Sequence, residues 1–192
     1  MIHAALDERP IIVALAGPNG AGKSTFYKAF LADTGLPFVN TDDVARESGL
    51  ETATATGIAG EIRKEFVRQR ESFIFETVLS DPVGEKVGFL RDAAASGYTV
   101  VLCYIGISGP EVSDARVAMR VSQGGHDVPP EKLPARYARS MANLKRAMLD
   151  VPMVLIFDND DLRAQYRHVA MCENGVRTFL AKPVSEWLSR LL

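Results

Sequence analysis

Only two cysteines, one tryptophan and three histidines occur in the 192 residues. Two cysteines cannot build a disulfide framework. Cys103 falls inside the apolar run Tyr98–Ile105 and Cys172 near the C-terminal strand-like runs, so both read as core packing. His3, His126 and His168 have no partner at ligand spacing, which removes a zinc site. Neither sign of charge dominates: 22 Lys and Arg stand against 24 Asp and Glu, net −2, so no bulk field draws the chain to nucleic acid or anionic lipid. No apolar run approaches the roughly 20 residues of a membrane span. The N-terminus, Met1 to Glu8, lacks a basic segment followed by an apolar stretch. There is no repeat and no low-complexity linker. These absences predict a cytoplasmic protein with neither a membrane nor a nucleic-acid partner. A content of 47% hydrophobic and 24% charged residues is that of an ordinary core, and the length suits one domain, 1–192.

What is present is sharper. The apolar run Ile11–Ala16 reads as a buried parallel strand. After it come Gly17, Pro18, Asn19, Gly20, Ala21, Gly22, Lys23, Ser24 and Thr25, matching the phosphate-loop pattern G-x-x-x-x-G-K-[ST], or Walker A. Glycines let backbone N–H groups converge on phosphate oxygens, and the helix that follows adds unpaired donors and a partial positive charge. Lys23 reaches the outer phosphates and the Ser24 hydroxyl is a magnesium ligand. Strand, glycines, Lys-Ser and helix in register mark a nucleoside triphosphate site.

Strands and helices alternate through most of the chain, which predicts a parallel sheet covered on both faces. Strands are expected at Ile11–Ala16, Pro37–Asn40, Ser72–Glu76, Tyr98–Ile105 and Met153–Phe157. Helices are expected at Lys23–Asp33, Asp43–Ser48, within Thr54–Arg70, and at Val83–Ser96, Pro110–Ser122 and Pro130–Leu149. Ser108-Gly-Pro-Glu111 reads as a capping box. Beyond Asn159, runs at Arg167–Cys172 and Gly175–Leu180 flank an Asn-Gly turn and read as a hairpin. A final helix is expected at Val184–Leu192, giving a C-terminal hairpin and helix over 164–192.

Gln123-Gly-Gly-His-Asp-Val-Pro-Pro130 interrupts the alternation. Glycines and prolines between two helices make a hinged lid at about 123–134. Arg116 and Arg120 precede it; Lys132, Arg136 and Arg139 follow on one helical face. Guanidinium groups on a closing lid can position phosphates and exclude water. His126 within it reads as a hydrogen-bonding or substrate contact. Two further strands end in acids, where an open parallel sheet binds its ligands. Asp42 is a candidate base beside an acceptor hydroxyl, or else a helix cap. Glu76, with Thr77 beside it, can orient an acceptor or stand behind magnesium. Asp158 is a third acid at a strand end, and Asn159 a candidate adenine contact. Arg46 follows Asp42 by one turn and adds to a surplus of arginines that suits a phosphate-bearing acceptor.

Taken together, these motifs resemble the zeta toxin family of phosphate-loop kinases in its short form. The resemblance runs through Gly17–Thr25, Phe38–Ala45, Ser72–Ser80, Gly97-Tyr98, Arg116–Pro129, Arg136–Leu144 and Phe157–Asn159. It implies an α/β fold of the P-loop NTPase type: a three-layer, nucleoside/nucleotide-kinase-like sandwich with a five-stranded parallel sheet and a helical lid. It also implies an ATP-dependent phosphotransferase using ATP and Mg2+, acting on a hydroxyl of a sugar nucleotide such as UDP-N-acetylglucosamine, with an antitoxin protein as a partner. By the same resemblance Lys23 and Ser24 hold ATP and magnesium, Asp42 is the base, and Glu76 positions substrate. Arg120 and Arg136, with Arg116, clamp phosphates. The alternative is a P-loop ATPase or nucleotide-dependent regulatory protein without a small-molecule acceptor.

Overall fold

The computed structural model describes residues 8–122, 129–161 and 163–192; of Arg120 it describes the backbone only. Strands are β1 Ile11–Ala16, β2 Phe38–Val39, β3 Phe73–Thr77, β4 Thr99–Gly106, β5 Met153–Asp158, β6 Arg167–Glu173 and β7 Val176–Leu180. They form one sheet in the order β2-β3-β1-β4-β5-β6-β7. The first five neighbours pair in parallel, while β6 and β7 pair antiparallel. The expected five parallel strands are therefore present, but the sheet has seven. The Asn174-Gly175 hairpin extends it, because β6 lies against the free edge of β5 with Val154 opposite Cys172. An open edge satisfies its backbone groups in this way.

Side chains alternate along each parallel strand, and both faces are apolar. Ile12, Ala14 and Ala16 enter one core layer; Ile11, Val13 and Leu15 enter the other. The helices are α1 Lys23–Phe26, α2 Thr41–Ser48, α3 Thr52–Gln69, α4 Glu85–Ala95, α5 Pro110–Ser122, α6 Leu133–Asp150 and α7 Glu186–Ser189. Phe26 and Leu31 cover the second layer, with Tyr137 and Tyr166 packed against it. Val87, Leu90, Leu144, Ala147, Trp187 and Leu188 fill the first. No described helix is long and apolar enough to cross a membrane. Burial pushes the Cys103 thiol up to about 12, so it stays protonated and inert, as a packing residue should.

Three local expectations need correction. The helix after the phosphate loop is regular only to Phe26; it then widens over Tyr27–Leu31 and ends in a tight turn, Ala32–Thr34. The last helix is four residues, Glu186–Ser189. It is set by Trp187, whose ring lies so close to Gly106 that a Cβ there would sit 2.2 Å from it. Helix α5 begins at Pro110, so Ser108 lies outside the cap position and no capping box forms. Its N–H instead donates to Asp160 Oδ1 at 2.8 Å.

Candidate active site

The phosphate loop joins β1 to α1 through three left-handed glycines, Gly17, Gly20 and Gly22. Each also sits where a side chain would collide. A Cβ on Gly17 would lie 2.2 Å from the Ile105 carbonyl oxygen; on Gly20, 2.9 Å from that of Ser113; on Gly22, 2.7 Å from Asn159 Nδ2. Backbone conformation and space both demand glycine here. The loop is braced from outside. Ser113 Oγ on α5 donates to the Asn19 carbonyl at 2.6 Å. Asn159 Nδ2 donates to the Ala21 carbonyl at 2.8 Å, and Tyr166 O–H to that of Gly22 at 2.9 Å. Pro18 is buried, and its carbonyl accepts from Lys23 Nζ at 3.1 Å. Thr25 continues α1.

A cleft of about 540 Å³ opens beside this loop, lined by Asn19, Gly20 and Lys23 from the loop, by Asp42 from the first turn of α2, and by Glu76 and Thr77 from the end of β3. The strand order places β2 and β3 on one side of β1, so both acids reach the same carboxyl edge. Glu76 is the pivot. Its Oε2 accepts from Ser24 Oγ at 2.9 Å, and its Oε1 lies 3.7 Å from Lys23 Nζ. Asp42 is exposed and lines the cleft. The cap of α2 is Asn40, whose side chain accepts from the Asp42 N–H at 2.9 Å. The Asp42 carboxylate is therefore not spent as the cap.

The cleft's far wall is the turn after β3. Leu79 is fully buried with φ +57°, a strained conformation for leucine. Helix α6 holds it there: Ser140 Oγ donates to Val78 O at 2.8 Å, Asn143 Nδ2 to Leu79 O at 2.9 Å, and Arg139 Nε to Ser80 O at 2.7 Å. The Thr77 hydroxyl accepts the Leu79 N–H at 3.0 Å. Tyr104 O–H pairs with Ser140 Oγ at 2.9 Å, and burial raises its pKa, so it remains neutral. Lys132, Arg136 and Arg139 line the cleft, as does Pro129 at the end of the expected lid.

Other expected residues lie elsewhere. Arg46 is largely exposed, pairs with Asp43 at 2.6 Å, and does not line this cleft. Arg116 sits across the loop, its Nη2 on the Asp160 carbonyl at 3.0 Å and its Cβ against Gly20. That is the β4–β5 side, away from Asp42. Asp158 accepts from Ser185 Oγ and pairs with Arg167 at 3.3 Å, anchoring the C-terminal segment. Asn159 is 3% exposed and braces the loop with the amide group assigned to adenine. His126 and the Arg120 side chain lie outside the described residues, as do residues 123–128 of the expected lid. Sequence reasoning missed Ser113, Tyr166, Ser140 and Arg63, the last on α3 and lining the cleft.

The brace makes one prediction. Asn159→Ala strips the buried Ala21 carbonyl of its donor, which costs about 1–3 kcal/mol. Because that carbonyl belongs to the phosphate loop, nucleotide affinity measured by calorimetry should fall about 5- to 150-fold, with Asp42 and the far wall of the cleft intact.

Comparison with known proteins places this geometry. The family model described as Zeta toxin matches residues 3–170. An uncharacterized protein of Haemophilus influenzae is 30% identical over 128 residues, covering 63% of this chain and 88% of that one. The crystal structure of AvrRxo1-ORF1:-ORF2 with ATP superposes at TM-score 0.68 and 18% identity, over 97% of this chain and 64% of that chain. The chain therefore spans less than two thirds of that solved relative. The PezAT chromosomal toxin-antitoxin system of Streptococcus pneumoniae superposes at TM-score 0.55 and 18% identity, over 78% and 69%. At that identity the two structural likenesses are of fold.

Proposed function

This chain belongs to the zeta toxin family and is a phosphate-loop kinase, and from that premise we propose that it transfers the ATP γ-phosphoryl group to a hydroxyl of a sugar nucleotide such as UDP-N-acetylglucosamine. One observation carries the reading: Lys23 of the phosphate loop opens on the same cleft as Asp42 and Glu76. Phosphoryl transfer needs alignment and charge neutralisation more than covalent chemistry. Lys23 neutralises the transferring group. Asp42 accepts the proton of the attacking hydroxyl. Glu76 orients Ser24 and the acceptor, and Arg136 closes on the phosphates from α6. Arg116, beside Gly20, serves the nucleotide rather than the acceptor.

The donor set suits magnesium. The Ser24 hydroxyl with the Glu76 carboxylate behind it offers hard oxygens, and the ion bound there would neutralise phosphate charge. We extend to this chain a protein antitoxin as its partner, by analogy with the PezAT toxin-antitoxin system.

The test is ADP release with magnesium and ATP, alone and with UDP-sugars, nucleosides or neutral sugars. The proposal expects release that depends on a UDP-sugar. Release at one rate whatever is added would make the protein an ATPase.

A further inference from the structure

Helix α3 turns one row of residues toward the cleft wall: Thr52, Thr56, Ala59 and Arg63, spaced by four, three and four. Arg63 is the anomaly in that row. It is 7% exposed, yet among the described residues no carboxylate pairs with it and no acceptor takes its N–H groups. Its guanidinium carbon lies 5.1 Å from the centroid of the Phe75 ring, one residue before Glu76. Burial lowers its pKa, and the Glu85 charge that opposes this belongs to a largely exposed carboxylate already 3.2 Å from Lys86. A guanidinium offers five donors in a rigid fork that matches a planar or tetrahedral oxyanion. The Arg63 nitrogens are not among the fully enclosed polar atoms left without a hydrogen bond and it lines the open cleft, so a guanidinium stacked on Phe75 but neutralised by no described carboxylate is placed to receive an anion from the cleft.

Its position says which anion. Arg63 lies with Asp42 and Glu76 on the β2–β3 side of the phosphate loop, whereas Arg116, Asn159 and Tyr166 lie on the β4–β5 side. Lys86, on α4, opens on the same cleft. We infer that Arg63, assisted by Lys86, forms a second oxyanion subsite that seats a phosphate or carboxylate carried by the acceptor, separate from the phosphate loop. The inference rests on the kinase reading above and adds which residues seat the acceptor's anionic group. Arg63 is a binding residue; phosphoryl transfer happens at Asp42 and Lys23.

The experiment uses the full chain saturated with magnesium and a non-hydrolysable ATP analogue, so that the phosphate loop is filled. Calorimetry then measures inorganic phosphate and, separately, malonate binding to wild type, Arg63→Met and Arg63→Lys. The analogue should bind all three alike. Wild type should bind a further oxyanion, weakened about 10- to 100-fold in Arg63→Met and partly restored in Arg63→Lys. Tighter phosphate identifies a phosphate-bearing acceptor; tighter malonate identifies a carboxylate. Arg63→Met should also melt at or above the wild-type temperature, because it removes an unpaired buried charge. Saturated wild type that binds neither anion overturns the subsite while leaving the kinase reading intact. Unchanged anion binding in an Arg63→Met that melts lower makes Arg63 a packing residue over Phe75. Failure of the analogue itself to bind strikes the kinase reading, and the acceptor subsite with it.

Discussion

Asp42→Asn should bind ATP as the wild type does and lose about 10²- to 10⁴-fold in turnover. The substitution keeps the shape and removes only the basicity. Asn40, not Asp42, caps α2, so the helix should keep its start. The residual structural role of an acid in the first turn is worth about 0.3–1 kcal/mol, far short of the kinetic loss. Nucleotide affinity by calorimetry and turnover with a working acceptor separate the two roles. Full turnover in a slightly less stable Asp42→Asn would reduce Asp42 to a charge at a helix end.

Lys23→Ala should be broader in effect, because it acts on nucleotide binding as well as on chemistry. Lys23 is 6% exposed and sits between the Pro18 carbonyl and Glu76. Removing a preorganised charge aimed at the transferring group costs on the order of 10³-fold in rate, about 4 kcal/mol at 1.36 kcal/mol per tenfold. ATP affinity should fall with it. The comparison with Asp42→Asn is informative: one variant loses nucleotide binding and chemistry, the other chemistry alone.

The parts of this account that could be read in sequence are those with local signals. Gly17 to Ser24 is contiguous, and its glycines are dictated by backbone conformation. The runs at β1, β3, β4 and β5 are apolar on both faces and bounded by turns. Glu76 is legible because it closes a strand, and Asp42 because it opens the helix that follows one. What escaped was set by tertiary packing. Arg63 sits in Glu61-Ile-Arg-Lys-Glu65, which reads as a solvated helix face; only its four-residue step from Ala59, itself four from the buried Ala55, hints that it turns inward. Ser113 reaches Asn19 across 94 residues, and Asn159 reaches Ala21 across 138; no spacing rule connects them. The hairpin was legible from Asn174-Gly175, but its docking on β5 depends on which strand leaves an edge open.

Arginine-rich sequence around the lid suggested a phosphate-bearing acceptor, and the structure redistributes that argument. Arg46 is satisfied by Asp43 and Arg116 lies on the β4–β5 side of the loop, against Gly20 and the Asp160 carbonyl. The cations lining the cleft are Lys23, Arg63, Lys86, Lys132, Arg136 and Arg139, against Asp42, Glu76 and Asp81. The positive excess survives, with Lys132, Arg136 and Arg139 in place as expected and Arg63 and Lys86 standing where Arg46 and Arg116 were expected.

On the proposed function, the γ-phosphoryl group goes to an acceptor hydroxyl and not to water. The direct measurement is to incubate the protein with magnesium, γ-labelled ATP and UDP-N-acetylglucosamine, then separate labelled sugar nucleotide from labelled inorganic phosphate. Label should appear on the sugar nucleotide and be lost in Asp42→Asn. Label found only in inorganic phosphate, with this acceptor and with every other UDP-sugar tried, would contradict it.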